Sequence, residues 1–282
     1  MLKNIIFTGG GLKGWAYIGT IRALNELVDI CNIEHVIATS IGSVFALFYI
    51  SQIKWDYLLD FIINLDFKEV LDIDIDNILT TQSLLEGKKF YLLIKRLMSI
   101  NLDPDITFME LYNKTKILYT VNSFNISKCE CDYFNYQNTP DIKVLDAIMA
   151  SCSIPLLFPS YNINNNYYYD GGLINNCAFQ LVDELETIIF ELNINSENTQ
   201  NTKNNKLMEL LISVLNFIQN KVASNANINN YILVNLVNDK YKDDLFNINQ
   251  TKDDIFNIYM NGYLNSKKVI YDSFIALPDI IN

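Results

Sequence analysis

Ser40 stands in the run His35-Val36-Ile37-Ala38-Thr39-Ser40-Ile41-Gly42-Ser43, where a β-branched stretch meets an apolar stretch. A serine on a sharp strand-to-helix turn presents its hydroxyl for attack, and such an elbow needs small residues two places either side. Ala38 and Gly42 fill those places, with Ala38 replacing the first glycine of the G-x-S-x-G pattern. A second run, Phe7-Thr8-Gly9-Gly10-Gly11-Leu12-Lys13-Gly14, also joins a strand-like segment to a helix-like one. Closely spaced glycines there aim N–H groups into an anion-binding concavity, fit for a phosphate or for the oxyanion of a tetrahedral intermediate. Gly9, Gly11 and Gly14 also satisfy G-x-G-x-x-G, which admits a dinucleotide. The ribose-binding carboxylate of such a site belongs at the far end of the second strand, yet Glu34 precedes that strand and Ser40 follows it. The third run, Tyr167-Tyr168-Tyr169-Asp170-Gly171-Gly172, sets a carboxylate at a strand end before two glycines, a pattern that taken alone reads as a surface β-turn.

A serine hydroxyl attacks only if a neighbour accepts its proton. His35 is the only imidazole in the chain. It lies five residues before Ser40 on the same strand, roughly 16 Å away at about 3.3 Å per residue, whereas proton transfer needs about 3 Å. A Ser–His–Asp arrangement is therefore excluded within one chain. A catalytic Ser40 must use a carboxylate, and the glycine distribution selects Asp170; His35 then opens a strand.

The elements that must position these groups alternate in type. Strand-like segments fall at residues 4–8, 36–39, 116–123, 131–136, 167–169, 187–192 and 231–237, the third and fourth forming a pair. Helical patterns fall at 15–28, 41–50, 55–65, 84–98, 144–150, 207–222 and 253–271. Such alternation predicts a mostly parallel sheet covered on both faces. Eight of the ten glycines, Gly19 among them, gather at three strand ends, where parallel sheets bind their ligands. Residues 193–205 are Asn-rich and read as a loop, and residues 206–282 as completion of one domain spanning 1–282. The apolar helix at 207–222 reads as core packing or a lid. Asp72, Asp74 and Asp76 lack the glycine and terminal glutamate of a calcium loop, so no metal site is expected.

Composition narrows the functional classes. Lys and Arg total 21 against 32 Asp and Glu, a net charge of −11, which disfavours tracking a nucleic-acid backbone. Five scattered cysteines and one histidine give no zinc framework and suit a reducing compartment. With no signal-like leader and no apolar run long enough to span a bilayer, the expectation is a soluble intracellular protein.

Taken in order, these segments resemble the patatin-like phospholipase family, whose members use a Ser–Asp dyad. The resemblance covers about residues 3–185. The run Gly9-Gly10-Gly11-Leu12-Lys13-Gly14 is similar to the family's oxyanion loop, with Lys13 where the family has Arg or Lys. The elbow from Ala38 to Gly42 and the segment Asp170-Gly171-Gly172 match two further motifs. Ala150-Ser151-Cys152-Ser153-Ile154-Pro155 resembles its A-S-x-x-x-P segment. The resemblance implies a three-layer α/β/α sandwich with a mostly parallel central sheet, and cofactor-free, calcium-independent hydrolysis of lipid acyl esters. It implies Ser40 as nucleophile, Asp170 as general base, and backbone amides of Gly10, Gly11 and Leu12 as oxyanion donors. Lys13 would orient the loop or a phosphate head group, or be a solvated surface lysine. The implied partner is a lipid substrate, with peripheral membrane contact and no nucleic acid. Two alternatives stand beside this reading: a lipid- or protein-binding relative impaired at Ala38, and a dinucleotide-binding protein.

Overall fold

The computed structural model describes residues 2–70, 83–182, 186–192, 232–237 and 249–275. The Asn-rich segment, the 207–222 helix and the aspartates at 72, 74 and 76 lie outside the described residues. Within them the sequence forms an α/β fold around a mostly parallel mixed sheet. The apolar, β-branched runs become parallel strands: β1 (Asn4–Phe7), β2 (His35–Thr39), β3 (Leu118–Asn125), β7 (Thr187–Glu191) and β8 (Ile232–Asn235). Three antiparallel strands join them on the β3 side: β4 (Glu130–Phe134), β5 (Tyr161–Ile163) and β6 (Asn166–Asp170). The sheet order is β5-β6-β3-β2-β1-β7-β8, with β4 also paired to β3.

Side chains alternate across this sheet. Ile5, Phe7, Val36, Ala38, Tyr119, Val121, Ile188 and Phe190 enter the main core, beneath the helices. Those helices are α1 (Ala16–Leu27), α2 (Ile41–Ile50), α3 (Trp55–Ile63), α4 (Phe67–Val70), α5 (Lys88–Met98), α6 (Phe108–Thr115), α7 (Val144–Ser151) and α8 (Lys252–Ile275). On the opposite face Ile6, Ile37 and Ile189 cluster with Ala178, flanked by Cys177, Phe179 and Val182. None of the described helices is long and apolar enough to cross a membrane.

The edge of β3 sets where Ser40 and Asp170 meet. β2 pairs with it in parallel as far as Thr39 opposite Asn122, and β4 takes the other edge from Val121 to Asn125. β6 pairs antiparallel from Ser123 to Asn125, so it must use the edge that β2 has just left. The ends of β2 and β6 therefore abut: Thr39 faces Asn122, and Asp170 faces Ser123. Two elements on this side are not in the sequence reading. The β5–β6 turn runs through Asn164 and Asn165, both with positive φ (50° and 64°), the backbone of a two-residue hairpin that Asn tolerates. Helix α6 starts at a capping box between Thr107 and Glu110.

Gly19 does not belong to the strand-end cluster assigned to it. It lies in α1 against α8, where a Cβ would meet the Tyr259 carbonyl oxygen at 2.1 Å, and a Cβ on Gly262 would meet that of Ala16 at 2.0 Å. The two helices thus touch backbone to backbone. Thr20 Oγ1 and Ser266 Oγ, 3.0 Å apart and buried, share a hydrogen bond across the contact. Trp15 Nε1 donates to Gln250 Oε1 (3.0 Å), and Arg22 Nη1 to the Tyr259 hydroxyl (2.9 Å). Gly262→Ala should force the helices apart and destabilise the protein by about 1–3 kcal/mol, as overpacking does. Leu264→Ala, two residues on and exposed, should fall within about 0.5 kcal/mol of wild type, with urea titration of both variants as the measurement.

Candidate active site

Ser40 sits between β2 and α2 with φ 53° and ψ −133°, a left-handed backbone that a side-chain-bearing residue adopts only when its surroundings impose it. The imposing contacts are identifiable. A Cβ on Gly42 would lie 2.5 Å from the carbonyl oxygens of Phe7 and Thr8, so the end of β1 presses directly on the elbow. Ala38, fully buried, sits in register between Phe7 and Val121; the turn forms with its extra methyl in place. Ser40 N–H donates to Ser151 Oγ (2.8 Å), and that hydroxyl donates to the Asn122 carbonyl (2.6 Å). The Ser43 hydroxyl donates to the Ser40 carbonyl (2.6 Å), and Tyr119 OH to the Ser43 carbonyl (2.6 Å).

Asp170 ends β6 and is fastened by the same short segment. Its N–H donates to the Ser153 carbonyl (2.8 Å), two residues beyond the serine that holds Ser40. Its Oδ1 accepts the Gly172 N–H (2.7 Å), and its Oδ2 accepts the Ser40 hydroxyl at 2.5 Å. Ser40 and Asp170 are each only 5% exposed. Burial pushes the Asp170 carboxyl up to about 7; the bonds from Ser40 and Gly172 pull the other way without offsetting it. A carboxylate poised near neutrality and touching a serine hydroxyl is suited to taking its proton.

The single imidazole is elsewhere. His35 opens β2, its Nε2 lies 2.8 Å from Thr120 Oγ1, and burial lowers its pKa to about 4. Glu34 is exposed and pairs with Lys3 (3.7 Å), at the end of β2 opposite the glycine loop. The residue that follows β2 at the glycine-loop end is Ser40, so Glu34 cannot serve a dinucleotide ribose there.

The glycine loop leads into a 3-10 turn, Gly11–Trp15, which runs straight into α1. Gly9 N–H donates to Asn176 Oδ1 (2.8 Å), and Lys13 N–H to the Gly10 carbonyl (3.3 Å). The N–H groups of Gly10, Gly11 and Leu12 donate to no acceptor among the described residues. Lys13 is not a solvated surface lysine: the tight turn tucks its side chain inside with no exposure at all. Its charge favours the ionised form of Glu191, the last residue of β7, whose carboxyl burial otherwise pushes upward. Among the described residues no three His, Cys, Asp or Glu side chains converge as a metal site.

Ser151, Ser153, Asn122 and Asn176 complete the arrangement, and sequence reasoning assigns none of them a role. The first two lie in the A-S-x-x-x-P segment, so the motif marked the place without revealing the bonds. Asn176, six residues beyond Asp170, carried no local signal.

Comparisons with known proteins point to one family and one fold. The family model for patatin-like phospholipase matches residues 5–183. A probable lipid hydrolase of Invertebrate iridescent virus 6 is 31% identical over 180 residues, covering 62% of this chain; the chain spans about three fifths (61%) of that relative. An uncharacterised protein of Acanthamoeba polyphaga mimivirus is 23% identical across 96% of this chain and 90% of its own. The fold is shared with VipD from Legionella pneumophila (TM-score 0.66, 18% identity, 96% of this chain and 67% of that one). It is also shared with ExoU of Pseudomonas aeruginosa, solved in complex with SpcU (TM-score 0.55, 14% identity, 96% and 52%). With its family model spanning more than half the sequence and the elbow, glycine loop and D-G-G turn all inside that span, the chain belongs to the patatin-like phospholipase family.

Proposed function

We propose that this chain hydrolyses fatty acyl esters of lipids, in the manner of a phospholipase A, through a Ser40–Asp170 dyad that needs neither cofactor nor calcium. The observation that carries the reading is the 2.5 Å contact between Ser40 Oγ and Asp170 Oδ2 at a strained elbow. Ser40 Oγ attacks the acyl carbonyl as its proton passes to Asp170. The developing oxyanion is met by the uncommitted N–H groups of Gly10, Gly11 and Leu12, each such donor being worth roughly 3 kcal/mol in comparable sites. Ser40 also precedes the ten-residue helix α2, whose positive end favours negative charge at the nucleophile. The tetrahedral adduct collapses, the ester C–O bond breaks, and the leaving alcohol takes the proton from Asp170. Water then gives its proton to Asp170 and attacks the acyl-enzyme; the fatty acid leaves and the proton returns to Ser40. The lipid substrate reaches the site from a membrane or micelle surface by peripheral contact.

The test is fatty-acid release from phosphatidylcholine vesicles. Ser40→Ala and Asp170→Asn should each lower kcat by at least about 10³-fold, as removing a nucleophile or its base does, while His35→Ala should keep at least half the wild-type rate. Activity lost only in His35→Ala, with the other two intact, would remove the dyad.

Asp170 also links activity to stability. Because burial raises its folded pKa above that of the unfolded chain, the stability it contributes is full below about pH 4 and is lost as pH rises through about 7. Asp170→Asn should therefore gain stability over wild type at pH 8 and lose that advantage at pH 4. Thermal unfolding at the two pH values checks this, and an equal difference at both contradicts it.

A further inference from the structure

We propose that Asn176 is the residue that locks the oxyanion loop onto the turn carrying the base, and that by occupying the Gly9 amide it assigns oxyanion binding to the amides after it. This rests on the reading of the glycine loop as the oxyanion site. The Asn176 side-chain amide binds both polar groups of one residue: its Oδ1 accepts the Gly9 N–H at 2.8 Å, and its Nδ2 donates to the Gly9 carbonyl at 3.3 Å. No other described side chain grips both backbone groups of a loop glycine. The contact spans 167 residues of sequence and joins two turns that share no strand pairing. Gly9 also lies close to the nucleophile: a Cβ built on it would stand 2.9 Å from Ser40 Cβ and 2.7 Å from Asn176 Oδ1. A Cβ on Gly172 would lie 3.0 Å from both Asn176 Oδ1 and Asp170 Oδ1, so the clamp and the base occupy one small space.

The chemical consequence follows from geometry. Backbone donors stabilise an oxyanion only if they are already aimed where charge develops, and a misplacement of about 1 Å costs on the order of 10²-fold in rate. The loop follows β1, so its start is fixed by the sheet, and Tyr17 OH reinforces that start by donating to the Thr8 carbonyl at 2.6 Å. Beyond Thr8 the chain has three successive glycines and no strand partner. Asn176 supplies the missing anchor at the first of them. With the Gly9 N–H engaged, the donors left for an oxyanion begin at Gly10. Asn176 touches no reacting atom in this arrangement; it is a positioning residue.

Asn175 supplies an internal control. Its side chain belongs to the same turn but binds the Ala178 N–H (2.8 Å) and the Tyr133 hydroxyl (3.0 Å), away from the loop. The experiment compares wild type, Asn176→Ala, Asn176→Asp and Asn175→Ala by steady-state hydrolysis of a p-nitrophenyl acyl ester and by amide hydrogen exchange of residues 8–14. Asn176→Ala should lower kcat by about 10- to 100-fold with KM within about threefold, and should speed exchange in that peptide. Asn176→Asp keeps the acceptor for Gly9 N–H but loses the donor and places charge beside the oxyanion. It should therefore protect the peptide better than Asn176→Ala while remaining as slow. Asn175→Ala should lower the unfolding midpoint yet keep kcat within about twofold. Unchanged kcat or unchanged exchange in Asn176→Ala overturns the proposal, as does an equal loss of kcat in Asn175→Ala. If wild type itself cleaves no ester, the hydrolase reading fails, and the exchange comparison still decides whether Asn176 clamps the loop.

Discussion

One edge of β3 serves two strands in succession, and the site depends on that handover. β2 occupies the edge through Asn122 and then turns away into α2; β6 arrives from the opposite direction and occupies it from Ser123. Adjacent residues of β3 therefore index Thr39 and Asp170, which places the residue after Thr39 against the side chain of Asp170. The serine and the carboxylate are 130 residues apart in sequence, yet their separation is fixed by one step of a strand. The proposed dyad needs no third side chain to orient its carboxylate, because strand register and the Gly172 N–H already hold it.

The arrangement is held at some energetic cost. Ser40 adopts a strained backbone, and Asp170 is buried where its charged form is disfavoured. Strain and desolvation of this sort persist only when the surroundings over-determine them. Here the C-terminal end of α7 supplies the main constraint, since Ser151 binds the Ser40 amide and Ser153 binds the Asp170 amide within three residues. The same segment thus fixes both partners of the proposed dyad, which gives a physical reason for a serine and a following turn in that motif. On the far side, the close contact between α1 and α8 supports the helix that the glycine loop enters.

Much of the fold was legible because local chemistry spoke for it. Apolar β-branched runs gave the parallel strands, glycines marked the elbow and the loop, and strand geometry alone removed His35 from contention; the structure places that imidazole on Thr120. Gly19 was misplaced because a glycine near a helix start reads as part of a turn, whereas its reason is a helix 240 residues away. The β5–β6 hairpin went unread although Asn164-Asn165 was a visible signal, because β5 has only three residues. α6 was missed although its Thr107–Glu110 capping box was written in the chain. The β3 handover, the paired role of Ser151 and Ser153, and the grip of Asn176 on Gly9 had no local signature. Each is a long-range register or a side chain reaching across the fold, and those properties exist only after the chain has closed on itself.

In the proposed mechanism a buried aspartate, acting alone, makes Ser40 nucleophilic. The rate of covalent labelling by a fluorophosphonate, followed by intact mass and peptide mapping from pH 5 to pH 9, measures that activation at the atom concerned. A single adduct on Ser40 is expected, formed at a rate that rises with pH through one ionisation near 7 and collapses in Asp170→Asn. An adduct on another residue, or labelling of Ser40 that proceeds equally well in Asp170→Asn, would contradict it.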